Sequence, residues 1–454
     1  MSVQPDGLVM TPVQDWPVLP ARQQPTWPES AALMAAQAQL AVAPPLVFAG
    51  ESDHLGQELA SVAAGEAFVL MGGDCAETFA ANTADSIRAR LKTLLQMAVV
   101  LTYGSGLPVV KIGRVAGQYF KPRSQPMEVR AGLELPSYFG DGVNDLDFTP
   151  AGRTPDPARL VSVYNASSAA LNLVRAFTQG GYADLRQVHA WNQDFVRDSP
   201  AGQRYERLAG DIDRALQFMQ ACGADPEELR RVDFYAGHEA LVLDYERPLV
   251  RIDSRTGLPY SVSGHFLWVG ERTRNLDGAH IDFAARIHNP VGVKLGPTAS
   301  PEEAAAVVER LDPDAEPGRV TVITRMGASQ VTEVLPAVVE KVEATGRQVV
   351  WVCDPMHGNT RAVASGHKTR FFDDIVAEVR GFFEVHRNLG TVPGGIHIEL
   401  TGDDVTECLG GTGGIEESHI GDRYETACDP RLNREQSLEL AFLVAEMLGQ
   451  RRDV

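Results

Sequence analysis

The sequence predicts an α/β chain folded as a (β/α)8 TIM-type barrel, with an N-terminal extension and an extra helical insertion after the second barrel strand. Three observations lead there. Short apolar runs rich in β-branched residues recur eight times, at 68–71, 109–112, 232–235, 265–269, 291–295, 320–324, 349–352 and 396–400. Helical patterns lie between them. Polar side chains stand where the runs stop: Val349-Val-Trp-Val-Cys-Asp-Pro-Met-His-Gly358 delivers Asp354 and His357, Gly395-Ile-His-Ile-Glu-Leu400 delivers Glu399, and others deliver Arg325, Asp74 and Cys75. Functional groups at the strand ends of a βα-repeating chain are what a barrel with its site on the C-terminal loops requires.

Residues 1–55 are proline-rich and carry Trp16 and Trp27 around a helical pattern at 29–40. Exposed indole is unfavourable, so this N-terminal extension is expected to pack on the body. Residues 56–454 form the expected barrel. After its first strand, Ile87, Leu91, Leu94, Leu95 and Ala98 recur at helical spacing. An abnormally long stretch, 113–231, separates the second and third strands, with extra helices read at 169–177 and 205–222. An insertion of that size, about 165–223, more often serves as a lid, interface or regulatory device than as core. Ser300-Pro-Glu-Glu303 is a capping box opening a helix to Leu311. Asn433 and Gln436 stand in cap positions of a closing helix over 433–448. Gly410-Gly-Thr-Gly-Gly414 lacks the strand–loop–helix setting of a phosphate loop and reads as a flexible loop.

The 454 residues are 44% hydrophobic, ample for a large core. A formal charge of −19 disfavours nucleic acid and anionic membrane as partners and makes any local cluster of cations conspicuous. Five widely spaced cysteines without a CxxC pair, and no segment patterned to leave or span a membrane, give a soluble cytoplasmic protein as the expectation.

Two chemistries emerge from the strand ends. Cys75, His357, Glu399 and Asp429 offer a thiolate, an imidazole and two carboxylates, a set suited to Mn²⁺, Co²⁺, Fe²⁺ or Zn²⁺. Glu399 is the sharpest, because a carboxylate inside an apolar strand demands a partner or an ion. Cations gather as well: Lys111 and Arg114 after the second strand, Lys121-Pro-Arg-Ser124, Glu271-Arg272-Thr-Arg274 after the fourth, Lys294 within the fifth and Arg325 at the end of the sixth. Arg274 reads as a salt-bridge residue; Lys294 and Arg325 read as phosphate or carboxylate binders. The HxH and HExxH patterns of common metal hydrolases are missing.

Long motifs in fixed order then resemble one family. Gly72-Gly-Asp-Cys-Ala-Glu-Thr-Phe79, Lys111-Ile-Gly-Arg-Val-Ala-Gly-Gln118, Lys121-Pro-Arg-Ser124, Gly237-His-Glu-Ala240, Trp268-Val-Gly-Glu-Arg-Thr-Arg274, Cys353-Asp-Pro-Met-His-Gly-Asn359, Ile396-His-Ile-Glu-Leu400 and Tyr424-Glu-Thr-Ala-Cys-Asp-Pro-Arg431 resemble the class II (plant-type) 3-deoxy-D-arabino-heptulosonate 7-phosphate synthases over nearly the whole chain. The resemblance implies condensation of phosphoenolpyruvate with erythrose 4-phosphate, the first step of the shikimate pathway. It implies Cys75, His357, Glu399 and Asp429 as metal ligands, with Mn²⁺ favoured. Arg114, Glu271, Arg272, Lys294 and Arg325 would contact phosphoenolpyruvate, with Glu271 orienting the attacking water, and Lys121, Arg123 and Ser124 would meet the sugar phosphate. It further implies a homo-oligomer, dimer or tetramer, with feedback by aromatic amino acids and a chorismate mutase partner. Cys428 adjoins Asp429, so a Cys75–Cys428 disulfide is an expectation for oxidised, metal-free protein.

Overall fold

In the computed structural model, which describes residues 11–12, 16–198, 202, 206–222 and 231–449, eight parallel strands close into a barrel in chain order. They are β1 (Phe68–Gly73), β2 (Val109–Arg114), β3 (Tyr235–Glu239), β4 (Phe266–Val269), β5 (Val291–Leu295), β6 (Val320–Thr324), β7 (Val350–Cys353) and β8 (Pro393–Glu399). β8 returns to β1 with Glu399 opposite Gly73, and Gly73 in turn faces Arg114 of β2. Residues 1–10 and 13–15 of the expected extension, 199–201, 203–205 and 223 of the expected insertion, and 224–230 and 450–454 lie outside the described residues.

Seven strands fall on or within a residue or two of their predicted runs, except that β8 begins three residues early, at Pro393. The third does not. It runs Tyr235–Glu239 rather than 232–235, because its Ala-Gly-His-Glu stretch carries little apolar signal. Gly237 lies so close to β4 that a Cβ would stand 2.8 Å from the Phe266 carbonyl. His238 is fully buried, its Nε2 paired with Glu246 at 2.8 Å. Packing has overridden propensity here.

Eleven helices of eight residues or more are described. α1 (Ser30–Val42) and α2 (Ala49–Ala63) precede the barrel; α3 (Ala84–Ser105) follows β1. The long crossover after β2 holds an antiparallel hairpin, Met127–Arg130 with Leu133–Pro136, and then α4 (Ala158–Gln179), α5 (Leu185–Asp198) and α6 (Glu206–Ala221). α7 (Ala279–Arg286), α8 (Pro301–Leu311), α9 (Val331–Glu343), α10 (Phe372–Leu389) and α11 (Arg434–Gly449) complete the ring. The caps read from sequence are made. Ser300 Oγ accepts from the Glu303 N–H at 3.1 Å and Asn433 Oδ1 from the Gln436 N–H at 2.9 Å. The glycine stretch 410–414 is a bonded turn rather than a slack loop, with Gly410 N–H donating to Ile415 and Thr412 N–H to Glu439. No described helix is long and apolar enough to cross a membrane.

Near the N-terminus, Trp16 lies 5.5 Å from Phe283 and Trp27 donates to Asp244 at 2.8 Å. α2 runs unbroken through position 55 and closes the N-terminal end of the barrel. Its Leu55, Leu59 and Val62, each fully buried, join Val69, Val110, Ile112, Phe266, Trp268, Ile323, Val350 and Val352 in one apolar cluster. In the insertion, Asn192 of α5 exchanges two hydrogen bonds with Gln96 of α3.

Strand alternation makes that cluster informative. Successive side chains face opposite sides, so the cluster residues fix which phase points inward. Continuing the same phase toward the C-terminal ends gives Gly73 and Cys75, Arg114, Glu239, Gly270, Lys294, Arg325, Asp354 and Glu399. The barrel interior is hydrocarbon below and ionisable above.

Candidate active site

That upper layer opens into a cavity of about 230 Å³ at the C-terminal end of the strands. Ten of the twelve residues expected at the site line it: Arg114, Lys121, Arg123, Ser124, Glu271, Arg272, Lys294, Arg325, His357 and Asp429. Cys75 and Glu399 stand behind them, 1% and 0% exposed. Lys111 is not part of it. It points outward from within β2, its Nζ donating to the Val109 carbonyl.

Lys294 shows how the fold tolerates a buried ammonium. Its Nζ lies 2.6 Å from Asp354 Oδ2 and 3.4 Å from His357 Nδ1. Burial lowers its pKa, and Asp354 partly restores it. Burial opposes the Asp354 charge too, but His357 and Lys294 outweigh it and hold that carboxyl well below its usual range. Asp354 also accepts from His357 Nδ1 at 2.7 Å, which leaves Nε2 facing Glu399 at 3.0 Å.

Arg114 is fixed on every side. Nε donates to the Asp74 carbonyl at 2.8 Å, Nη1 to His397 Nε2 at 2.7 Å, and Nη2 to both the Cys75 carbonyl at 2.9 Å and Glu399 Oε1 at 3.1 Å. Its guanidinium lies over the Trp268 ring. Gly73 permits this approach: at φ 145° it occupies a conformation side chains avoid, and a Cβ there would stand 2.6 Å from the Arg114 carbonyl. Arg325 donates to the His357 carbonyl. Arg272 is exposed at the rim and makes no ion pair among the described residues. Glu271 accepts from Gly296 N–H at 2.6 Å and from Arg274 at 3.1 Å, so Arg274 is the salt-bridge residue it was read to be. Arg123 is tied through its backbone to the Gln23 side chain, which accepts at 2.7 Å and donates at 3.0 Å.

The four expected metal ligands meet as two adjoining pairs. His357 and Glu399 form one; Cys75 Sγ and Asp429 Oδ2, 3.8 Å apart, form the other, and Arg114 Nη2 bridges them. Lys121 stands against the second pair, 2.9 Å from Cys75 Sγ and 2.7 Å from Asp429. Burial raises the Cys75 thiol, aided by Cys428 and Glu399. It also opposes the Glu399 charge, yet His357 and Arg370 keep that carboxyl well below its usual range. The donor set fits a divalent ion. Glu399 Oε2 is buried without a hydrogen bond, although Arg370 Nη2 lies 2.8 Å away, and thiolate, imidazole and carboxylate oxygens are the ligands such ions take. The four do not, however, draw three ligand atoms within 4.8 Å of one another. Among the described residues that tightness occurs at His54, Glu58 and Asp233, at the other end of the barrel. Cys75 and Cys428 are both free thiols.

Several participants escaped sequence reasoning. Asp354 was visible at its strand tip but without its partner, Lys294. Glu239, His397, Lys368 and Arg370 carried weaker signals: a His-Glu pair ending β3, a histidine two residues before Glu399, and a basic pair in an acidic chain. Lys368 reaches Asp429 at 2.9 Å, and Glu239 lines the cavity with Oε1 buried and unbonded.

The chain matches the class-II DAHP synthetase family over residues 11–445. It is 65% identical over 432 residues (95% of this chain, 96% of the relative) to phospho-2-dehydro-3-deoxyheptonate aldolase of Streptomyces coelicolor. It is 58% identical over 434 residues, 94% of this chain and 93% of the relative, to phospho-2-dehydro-3-deoxyheptonate aldolase AroG of Mycolicibacterium smegmatis. A solved phospho-2-dehydro-3-deoxyheptonate aldolase from Francisella tularensis covers 97% of this chain and 99% of its own at 12% identity and a TM-score of 0.48, too distant to carry an argument.

Proposed function

Because the chain belongs to the class-II DAHP synthetase family, we propose that its barrel mouth carries out that family's reaction through the residues described above. The protein is a 3-deoxy-7-phosphoheptulonate synthase. It joins phosphoenolpyruvate, D-erythrose 4-phosphate and water into 3-deoxy-D-arabino-heptulosonate 7-phosphate and releases phosphate, at the first step of the shikimate pathway.

One observation supports the assignment of roles above all. A chain of net charge −19 gathers Arg114, Lys121, Arg123, Arg272, Lys294, Arg325 and Lys368 around one small cavity, which suits two phosphorylated substrates. In our reading Arg272, Lys294 and Arg325 hold the phosphate of phosphoenolpyruvate, and Arg114 with Lys294 hold its carboxylate. Lys121, Arg123 and Ser124 receive the phosphate of the sugar. Fixing both substrates in register contributes much of the acceleration. Glu271 keeps its place in the pocket as the anchor of Gly296 and Arg274. It also orients the water that adds to C2, beside Glu239, whose Oε1 is uncommitted.

The family is metal-dependent. Cys75, His357, Glu399 and Asp429 would hold the ion, Mn²⁺ in our proposal with Co²⁺, Fe²⁺ or Zn²⁺ as alternatives, and its contribution when bound is Lewis-acid polarisation of the aldehyde carbonyl. His357 serves this set through its Asp354 hydrogen bond, which fixes the ring with Nε2 toward Glu399. We place homo-oligomer contacts (dimer or tetramer), aromatic amino acid feedback and chorismate mutase docking on the extension, residues 1–55, and the insertion, about 165–223, apart from the catalytic barrel of 56–454. Exposed Met34, Val42, Phe48 and Phe218 support that placement. Five unpaired cysteines accord with the cytoplasm as its compartment.

The test follows loss of phosphoenolpyruvate with and without erythrose 4-phosphate, in chelator-treated protein and after Mn²⁺ is restored. Turnover should require both sugar and metal, and Arg325→Ala should raise the KM for phosphoenolpyruvate while the fold survives. Turnover independent of the sugar would sink the reaction. An unchanged KM would remove Arg325 from the pocket, and full activity of chelator-dialysed Cys75→Ser would remove the metal set.

A further inference from the structure

The N-terminal end of the barrel is sealed by hydrocarbon except at one edge. There His54 and Glu58 lie four residues apart on α2, one turn above the other on a single face, and Asp233 stands two residues before β3. One ligand atom from each falls within 4.8 Å of the other two, and His54 Nε2 lies 3.9 Å from Asp233 Oδ2. We propose that His54, Glu58 and Asp233 form a second divalent-cation site, remote from the catalytic mouth, that fastens the α2 plug to the third strand.

Two unsatisfied atoms favour a ligand here over a bare surface cluster. Glu58 Oε2 is buried and receives no hydrogen bond. Tyr235 is 4% exposed, its hydroxyl makes no hydrogen bond, and it lines a cavity of about 310 Å³ together with His54 and Asp233. Burial, the Glu58 carboxylate toward which the hydroxyl is directed, and Asp233 raise the Tyr235 pKa, so the phenol stays protonated beside them. Leaving buried polar atoms unpaired is unfavourable. A cation takes the free Glu58 oxygen as a ligand, and water in its remaining coordination position can meet the Tyr235 hydroxyl.

The neighbouring charges permit it. Glu51 is already engaged by Arg175 at 3.1 Å and His265 at 3.4 Å. Lys111 feels both Glu58 and Asp233; its Nζ is tied to a backbone carbonyl, and its single charge leaves the two carboxylates in excess. His54 and Asp233 are exposed, so an ion can enter from solvent. One imidazole and two carboxylates with an open position suit Zn²⁺ or Mn²⁺.

The probe is Zn²⁺ alone, titrated calorimetrically into metal-stripped protein, with metal content read by mass spectrometry. His54→Ala should lower bound Zn²⁺ by one equivalent per chain relative to wild type, with turnover on Mn²⁺ unchanged. In a Cys75→Ser/His357→Ala background, one equivalent should remain and vanish when His54→Ala or Asp233→Asn is added. Tyr235→Phe in that background should weaken binding about tenfold. No Zn²⁺ bound in that background, or a content indifferent to His54→Ala in both chains, overturns the proposal. The catalytic ligands are absent from the second background, so an error in the active-site assignment leaves this outcome readable.

Discussion

At the C-terminal end of the strands, Arg114, Lys294, Arg325, Asp354 and Glu399 occupy the inward phase; at the N-terminal end that phase holds Val69, Val110, Phe266 and Val350 under Leu55, Leu59 and Val62 of α2. The same alternation thus builds two unlike halves. Below, burial is favourable by itself, at roughly 25 cal/mol per Å² of apolar surface. Above, Arg114, Lys294, Arg325, Asp354 and Glu399 are each held by a partner within about 3 Å, because an unpaired ion there would cost more than its burial returns. Stability resides in the plugged half, and it supports a mouth whose groups are arranged for substrates.

The largest effect that could break this contrast comes from Lys294→Ala. It removes a proposed substrate contact and takes from Asp354, 0% exposed, its lysine partner, leaving His357 alone against the buried carboxylate. We expect kcat/KM for phosphoenolpyruvate to fall by roughly 10²–10³-fold, with a destabilisation of about 3–5 kcal/mol in chemical denaturation. A loss of activity with an unchanged midpoint would mean that the pair contributes nothing to the fold. Leu59→Ala is the counterpart below. It should cost about 2–5 kcal/mol through the cavity it leaves, with both KM values unchanged. A shifted KM would show that the plug is coupled to the mouth.

The two halves were not equally legible. Seven strands announced themselves because outward and lower inward positions are both apolar, giving continuous β-branched runs such as Val320-Thr-Val-Ile-Thr324. β3 did not, since Gly237, His238 and Glu239 owe their strand conformation to close packing and a buried Glu246 partner that no local pattern displays. α2 was missed as a unit although Leu55, Leu59 and Val62 stand at helical spacing; Gly50, Ser52 and Asp53 dilute the signal, and its partners are distant in sequence. At the mouth, Lys294 and Glu399 betrayed themselves as charges in apolar strands. Their partners Asp354 and Arg370 could not be paired with them from sequence, because the chain separation of 60 and 29 residues is closed only by the barrel.

A smaller effect tests the rim of the plugged end. Glu51 accepts from the Phe48 N–H at 2.9 Å. Burial pushes its pKa up, but His265, Phe48 and Arg175 outweigh that and bring it down to about 2 from 4.5. A depressed carboxyl contributes stability that is fully present above its unfolded value and is lost as pH falls through its folded one. Glu51 is partly solvated, so screening reduces the contribution to about 1 kcal/mol. Glu51→Gln should therefore be less stable than wild type by that amount at pH 7, with the gap narrowing steadily below pH 4.5. A gap constant down to pH 3 would assign the loss to packing instead of charge.

The smallest effect concerns a link from the N-terminal segment to the mouth. Gln23, at φ 59°, holds the Arg123 backbone through two hydrogen bonds across one hundred residues of chain. The loop it steadies carries Lys121, Arg123 and Ser124, while the phosphoenolpyruvate cations Arg114 and Lys294 sit on strands, with Arg325 and Arg272 one and three residues past strand ends, and need no such support. Gln23→Ala removes bonds worth about 0.5–1.5 kcal/mol each, and that loss falls on the loop alone. The KM for erythrose 4-phosphate should rise about threefold to tenfold, with the KM for phosphoenolpyruvate and the melting temperature nearly unchanged. Equal rises in both KM values would mean that the loop is held by the barrel itself, and that the N-terminal segment plays no part in placing the sugar phosphate.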